Sequence, residues 1–430
     1  MAHLPLEGLR VIDFTVVWAG PLVTKMMAEL GAEVIRVESK EHFPSSTKGL
    51  MAYPTKEMVA TMGGLGSAYP NKDPGPDPYN RHAMFNVHAI NKLSCTMELD
   101  RPEGMEAFER LVKVSDILVE NNAVRVGNKL GLDWEHISAL NPRMILVRMP
   151  PLGLTGPYAN ALGFGAHFEA LSGVTYIRGY RDADPSKTTE TFHMDDASAH
   201  GVLFAVLAAL HHREKTGRGQ MIEFPQAENM LQQMGEAFLD YSMNGRSAEP
   251  HGNTHPFFVQ GCYPCKGDDQ WIVFTLENEA QWQALLELAE HPAWGEDPRF
   301  ATPLSRRENQ DALDPLLASF TQQHDKVALF HLLQRVGIPA APIYDEADAY
   351  RDPQFSERGF FKSMTHLETG THLYPSHLSQ WSGLQMRWET PPPMLGQHNA
   401  YVYKEVLGYS EEEYQQMLEQ GLIGTEYARA

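Results

Sequence analysis

The sequence predicts an α/β protein built on a parallel sheet, and three observations carry that prediction. Residues 9–15 and 33–38 read as short strands, each around a β-branched apolar pair (Val11 with Ile12, Val34 with Ile35), and the stretch between them has helical spacing from Leu22 to Leu30. Strand, helix and strand in that order make a βαβ unit, whose two strands must run parallel. The alternation then returns: residues 102–114 read as a helix opened by Pro102, and residues 116–120 and 144–149 as two further buried strands.

The remaining elements follow in order. Residues 43–79 are rich in Gly, Pro, Met and Ser with weak periodicity, which predicts a long excursion over a neighbouring surface. A long helix is expected from Ser198 to about Arg213, and Thr216 to Gly219 turn the chain into a short strand at 220–224. Beyond Gly252 the character changes. Residues 262–276 read as a hairpin around Lys266 to Asp269, and 279–289 and 312–336 as helices, so a smaller α+β domain is expected. After Gly337 the chain is irregular, Pro-rich and aromatic, with a terminal helix at 410–419. The boundaries expected are 1–225 for a large domain, 226–336 for a small one, and 337–430 for a return segment that completes the first.

Composition narrows the function. The 430 residues carry 35 basic and 55 acidic side chains, a formal charge of −20, with 43% hydrophobic and 10% aromatic residues. That is a globular composition, well outside the disordered range. The negative surplus repels phosphate backbones and anionic membrane surfaces, so neither nucleic acid nor membrane is an expected partner. No apolar run approaches the roughly 20 residues of a membrane helix, and residues 1–7 turn polar too early for a secretory core. Three cysteines cannot form a disulfide framework, so the cytoplasm is the expected compartment.

Several motifs were weighed as chemistry. The turn from Val16 to Pro21 places small residues where a strand meets a helix, which suits either a tight turn or an anion held by backbone N–H groups, though it is not G-x-G-x-x-G. Cys262 and Cys265 have C-x-x-C spacing without a second half, so packed cysteines are expected and no metal. There is no H-E-x-x-H and no G-x-S-x-G. Asp195 and Asp196 precede the apolar stretch 201–210, where a carboxylate reads first as a helix cap and second as a group backed by backbone donors, able to carry an acyl group.

Taken together, these stretches resemble the family III CoA-transferases, a group that also contains α-methylacyl-CoA racemases. The resemblance runs the full length. It rests on residues 11–15 with Ala19 to Pro21, on 30–38, on Asn91 and Lys92 with 98–100, and on 116–121. It continues through 207–210 with Arg213, 216–220, 297–300, 337–342, 358–361 and 395–398. The family implies a Rossmann-like large domain made from both chain ends, a smaller domain between them, and two subunits interlocked as a homodimer.

The resemblance also implies an activity: CoA moves from an acyl-CoA donor to a carboxylic acid through an aspartyl anhydride and an aspartyl-CoA thioester. Counting back from Leu207 puts the family aspartate at Asp195, which leaves Asp196 as the expected cap. Positions matching the family's CoA contacts are Trp18, Ala19, Ser39, Leu99, Arg101, Asn121, Asn122 and Lys129. Trp18 stands where the family's formyl-CoA:oxalate CoA-transferases have a glutamine and Ser39 where a basic residue is found, so a larger and less polar acyl group than oxalate is expected. The alternative is a racemase, which needs a histidine where this chain has Phe164; His167 lies three residues later.

Overall fold

The computed structural model describes residues 3–187 and 192–428. The chain divides into two compact units. The first holds residues 1–172, 190–235 and 359–430, and the second holds 173–189 and 236–358. The divisions therefore fall at 235/236 and 358/359 instead of 225/226 and 336/337, and a short piece, 173–189, joins the second unit from within the expected large domain.

The first unit contains a six-stranded sheet. Its strands are β1 (Arg10–Phe14), β2 (Glu33–Glu38), β3 (Lys92–Thr96), β4 (Ile117–Glu120), β5 (Ile145–Arg148) and β6 (Gln220–Glu223). All neighbouring pairs are parallel, in the order β3-β2-β1-β4-β5-β6. Helices cover both faces, which is why β1, β4 and β5 are apolar on both sides. One face is packed by the helices Ala19–Glu29 and His193–Thr216, the other by Pro102–Lys113 and by Val402, Tyr403 and Ile423 of the returning chain. The strand order reverses between β1 and β4, and ligands of such sheets bind beyond the carboxyl ends of the strands at that point.

An exception to apolar burial lies in the middle of this sheet. Asp13 of β1 is fully buried and accepts from Lys92 Nζ at 2.8 Å and Thr24 Oγ1 at 2.9 Å, with Thr15 Oγ1 close by. Arg36 lies 3.6 Å from Asp13 and 3.4 Å from Glu38, and Lys48 reaches Glu38 at 2.8 Å. Burial alone would raise the Asp13 and Glu38 carboxyls, but the surrounding cations and donors hold both below the ordinary range.

The stretch 43–79 differs from a bare excursion. It holds the helix Lys56–Thr61 and several short 3-10 turns, Lys48 is fully buried on Glu38, and Tyr79 packs with Leu395 and Tyr427. Residues 359–428 return to the first unit: Asn91 Oδ1 accepts from the backbone of Glu389 at 3.0 Å, and Thr96 N–H donates to Asn399 at 2.8 Å.

The second unit has its own core around Trp282, Phe274, Phe300 and Leu329. Its hairpin pairs β7 (Val259–Pro264) with β8 (Trp271–Leu276), and β9 (Ala340–Pro342) completes an antiparallel sheet. The expected helix 312–336 is two, Gln310–Thr321 and Lys326–Arg335, with Asp325 capping the second through Val327 and Ala328 N–H.

Candidate active site

The site is built on the loop that leaves β1. Asn121, the first residue beyond β4, clamps that loop with both ends of its amide, accepting from Val16 N–H at 2.7 Å and donating to the Val16 carbonyl at 2.9 Å. Asn122 donates to the Phe14 carbonyl at 3.0 Å. Thr47 Oγ1 accepts from Val17 N–H at 2.8 Å. Val17 needs that support, because its φ of 63° lies in the left-handed region, unfavourable for a β-branched side chain. The loop then delivers the buried helix Ala19–Glu29, whose first N–H, that of Ala19, faces Asp195.

The helix His193–Thr216 brings Asp195 to this loop. It starts five residues earlier than Ser198, so both aspartates lie inside its first turn and neither caps it. The capping position is Phe192, which makes no side-chain cap bond, and the expected capping role of Asp196 is corrected accordingly. The first-turn donor is served from outside: Met194 N–H donates to Glu169 Oε1 at 2.9 Å. Glu169 lies one turn beyond Gly165 on the helix Gly165–Ser172, so both face Asp195. At Gly165 an added Cβ would stand 2.5 Å from Asp195 Oδ2, so the carboxylate approaches the backbone where only glycine leaves room.

Asp195 is only 9% exposed. Burial pushes its carboxyl up to about 6; the Ala19 backbone N–H opposes this, while the neighbouring charges of Glu169 and Asp196 add to it. The cavity it faces is lined by Val16, Val17, Leu162, Phe164, Phe168 and Met194, with Asn121 and Gln226 as the other polar side chains.

A second cavity, of about 430 Å³, opens at the ends of β1 to β3. Ser39, Leu99, Asn122 and Lys129 line it, together with Arg36, His42 and Phe43. Val16 lines both cavities. Of the eight predicted contacts, these four are thus brought together here, and Asn121 lines the Asp195 cavity. Ala19 lines neither but faces Asp195 through its N–H. Trp18 lines neither cavity: its ring stacks on Phe192 at 5.6 Å and tilts against His88 at 4.9 Å. Arg101 is also outside the cavity lining, more than half exposed and 3.5 Å from Glu41.

Glu41, Glu98 and Asp100 bring one carboxylate oxygen each within 4.8 Å of one another. Glu98 is already occupied by Ser39 Oγ at 2.6 Å and Lys40 N–H at 2.7 Å. His167, the displaced candidate for a racemase base, does not line the Asp195 cavity; its Nδ1 accepts from Phe164 N–H at 3.1 Å. Sequence reasoning missed Gly165, Glu169, Thr47 and Gln226. Of these, Thr47 lies in the excursion 43–79 and Gly165 and Glu169 in the stretch around Phe164 and His167; Gln226 lies in neither.

A buried carboxylate whose ionisation is opposed by its surroundings lies where the parallel sheet reverses, with one cavity facing it and a second beside it, an arrangement suited to an α/β enzyme site. The chain belongs to CoA-transferase family III, whose family model matches residues 6–399. It is 30% identical over 411 residues to a succinyl-CoA–D-citramalate CoA-transferase of Chloroflexus aurantiacus, covering 95% of this chain and 96% of that one. It is 27% identical over 420 residues to the succinyl-CoA:glutarate CoA-transferase of Mus musculus, covering 97% and 90%. Among solved structures, a CaiB/BaiF family protein from Brucella suis matches with a TM-score of 0.80 at 27% identity, over 94% of this chain and all of that one. Among the described residues no helix is long and apolar enough to cross a membrane.

Proposed function

We propose that the protein moves CoA between an acyl-CoA and a free carboxylic acid with Asp195 as the covalent carrier. The observation that carries this reading is the Asp195 carboxylate, buried at the mouth of the β1 loop, faced by the Ala19 N–H and held at about 6. Above that pH it is an ionised but poorly solvated nucleophile.

In the proposed sequence an Asp195 oxygen attacks the donor thioester carbonyl, and the C–S bond breaks to give a mixed anhydride and CoA thiolate. The thiolate attacks the aspartyl carbonyl of the anhydride, releasing the donor acid and leaving an aspartyl-CoA thioester. The acceptor carboxylate then attacks that thioester, and the two steps run in reverse. Each intermediate retains the energy of the thioester as long as water is kept out, and the apolar walls of the Asp195 cavity serve that end. The Ala19 N–H is aimed where negative charge collects on the aspartyl oxygen.

CoA fits the second cavity in this reading. Lys129 offers a cation for phosphate, Leu99 and Phe43 offer apolar surface, and Val16 leads from there to Asp195. The six-stranded order with its reversal is that of Rossmann-like dinucleotide folds. A homodimer, interlocked as in the family, is part of the proposal: Phe204 and Leu207 are exposed on the long helix and would gain cover in it.

The test is covalent trapping. Incubation with acyl-CoA donors, borohydride or hydroxylamine treatment and peptide mapping should find the modification on Asp195. A racemase would leave no such adduct and would wash solvent deuterium into the acyl α-carbon.

A further inference from the structure

No described residue lining the Asp195 cavity carries a positive charge. Among the described residues lining this cavity the polar side chains are Asn121, Asp195 and Gln226. Both ends of the Asn121 amide are occupied by Val16. Gln226 is different. It is only 5% exposed, and its Nε2 donates to the Met149 carbonyl at 3.0 Å, which fixes which way the amide faces. Its Oε1 is left buried with no hydrogen-bond partner among the described residues.

Two physical consequences follow for whatever enters. A second carboxylate on the acyl tail would lose its hydration with no cation in the lining to replace it, close to Asp195, whose ionisation Glu169 and Asp196 already oppose. A buried acceptor without a donor favours an occupant that brings an N–H or O–H to it.

We infer that the acyl subsite takes an uncharged, largely apolar acyl group and that Gln226 is a specificity residue, its Oε1 accepting a hydrogen bond from the bound thioester. This rests on the transferase reading above and sharpens it. The donor is either a hydroxyl on the acyl chain or an amide N–H of the CoA arm. The inferred preference departs from the dicarboxylic acids named for the relatives of Chloroflexus aurantiacus and Mus musculus.

The experiment measures the rate of Asp195 adduct formation by intact-protein mass spectrometry with butyryl-, 3-hydroxybutyryl-, hexanoyl-, benzoyl-, succinyl- and glutaryl-CoA at equal concentration. The fastest uncharged donor should load at least tenfold faster than either dicarboxylic one; a smaller ratio overturns the inference. No adduct from any donor defeats the transferase reading itself, which is a separate outcome. Gln226→Leu should slow either 3-hydroxybutyryl-CoA alone or every donor at least fivefold. A loss confined to 3-hydroxybutyryl-CoA identifies the hydroxyl as donor, a uniform loss identifies the CoA amide, and unchanged rates overturn the role of Gln226. If that variant does not fold, the unaltered protein reads the same contact. Butyryl-CoA is compared there with 3-hydroxybutyryl-CoA and with a butyryl donor N-methylated at the amide nearest sulfur. Equal rates for all three overturn the contact.

Discussion

Asp13 and Asp195 lie in one unit, both withdrawn from water, and they are treated in opposite ways. Asp13 is met by Lys92, Arg36, Thr15 and Thr24, and its carboxyl is held below the ordinary range. Asp195 is met by one backbone N–H and two like charges, and its carboxyl rises to about 6. On the proposed reading, burial is therefore not what separates a structural carboxylate from a reactive one. The separation comes from whether counter-charges were placed around it. Asp13 ties β1 to β3 and to the first helix; Asp195 is left under-compensated, so its charge remains available to a reaction.

That contrast can be broken at several points. Asp195→Asn should lower turnover by at least about a thousandfold while CoA still binds, since the nucleophile is removed and the cavities are not. Steady-state rates with calorimetric binding would check both halves. Asp13→Asn should do the reverse, costing about 3–5 kcal/mol of stability by leaving Lys92 and Arg36 buried against a neutral partner, measured by denaturant unfolding.

A third change acts on Asp195 without touching it. Gly165→Ala puts a methyl 2.5 Å from Oδ2, so the carboxylate must move, and kcat/KM should fall roughly 10- to 100-fold with the far-ultraviolet dichroism unchanged. The pH profile is a gentler test. Asp195 must be ionised to attack, so kcat/KM should fall as pH drops through about 6, and the profile of Asp195→Glu should have a displaced acid limb.

The last effect is on stability. A carboxyl raised from 3.8 to about 6 binds its proton more tightly folded than unfolded, so its contribution falls as pH rises between those values. Asp195→Asn removes that cost, and the variant should be more stable at pH 7.5 by up to about 3 kcal/mol, at roughly 1.4 kcal/mol per pKa unit. The gain should disappear when thermal unfolding is repeated below pH 3.8.

Much of this was legible in the sequence where burial is two-sided. β4 and β5 read correctly because covered strands leave unbroken apolar triplets, and β1 and β2 because each keeps a β-branched apolar pair, Val11 with Ile12 and Val34 with Ile35. β3 was not read as a strand: Lys92, Ser94 and Thr96 break its pattern, and their partners Asp13, Glu38 and Asn399 are distant in sequence. The start of the long helix was misplaced for a similar reason. Its first-turn N–H is satisfied by Glu169, 25 residues upstream, so no local cap marks the boundary. Asp195 was reached through the resemblance, because an aspartate before a helix looks the same whether it caps or reacts. Gly165 carried no signal, since the space a missing Cβ leaves is visible only when the neighbouring chain is in place.

Val16 belongs to both cavities, and its position is set by its backbone, pinned at each end by Asn121. On the proposed reading it works as a ruler. The span from the CoA phosphates to the aspartyl oxygen is then fixed by main chain, and exchanging side chains of the cavity walls leaves it unchanged as long as Asn121 is kept. Diversification of substrate is then confined to the far wall, residues 161–168 and Gln226, and different acids can be accommodated over time while the reach to Asp195 stays constant.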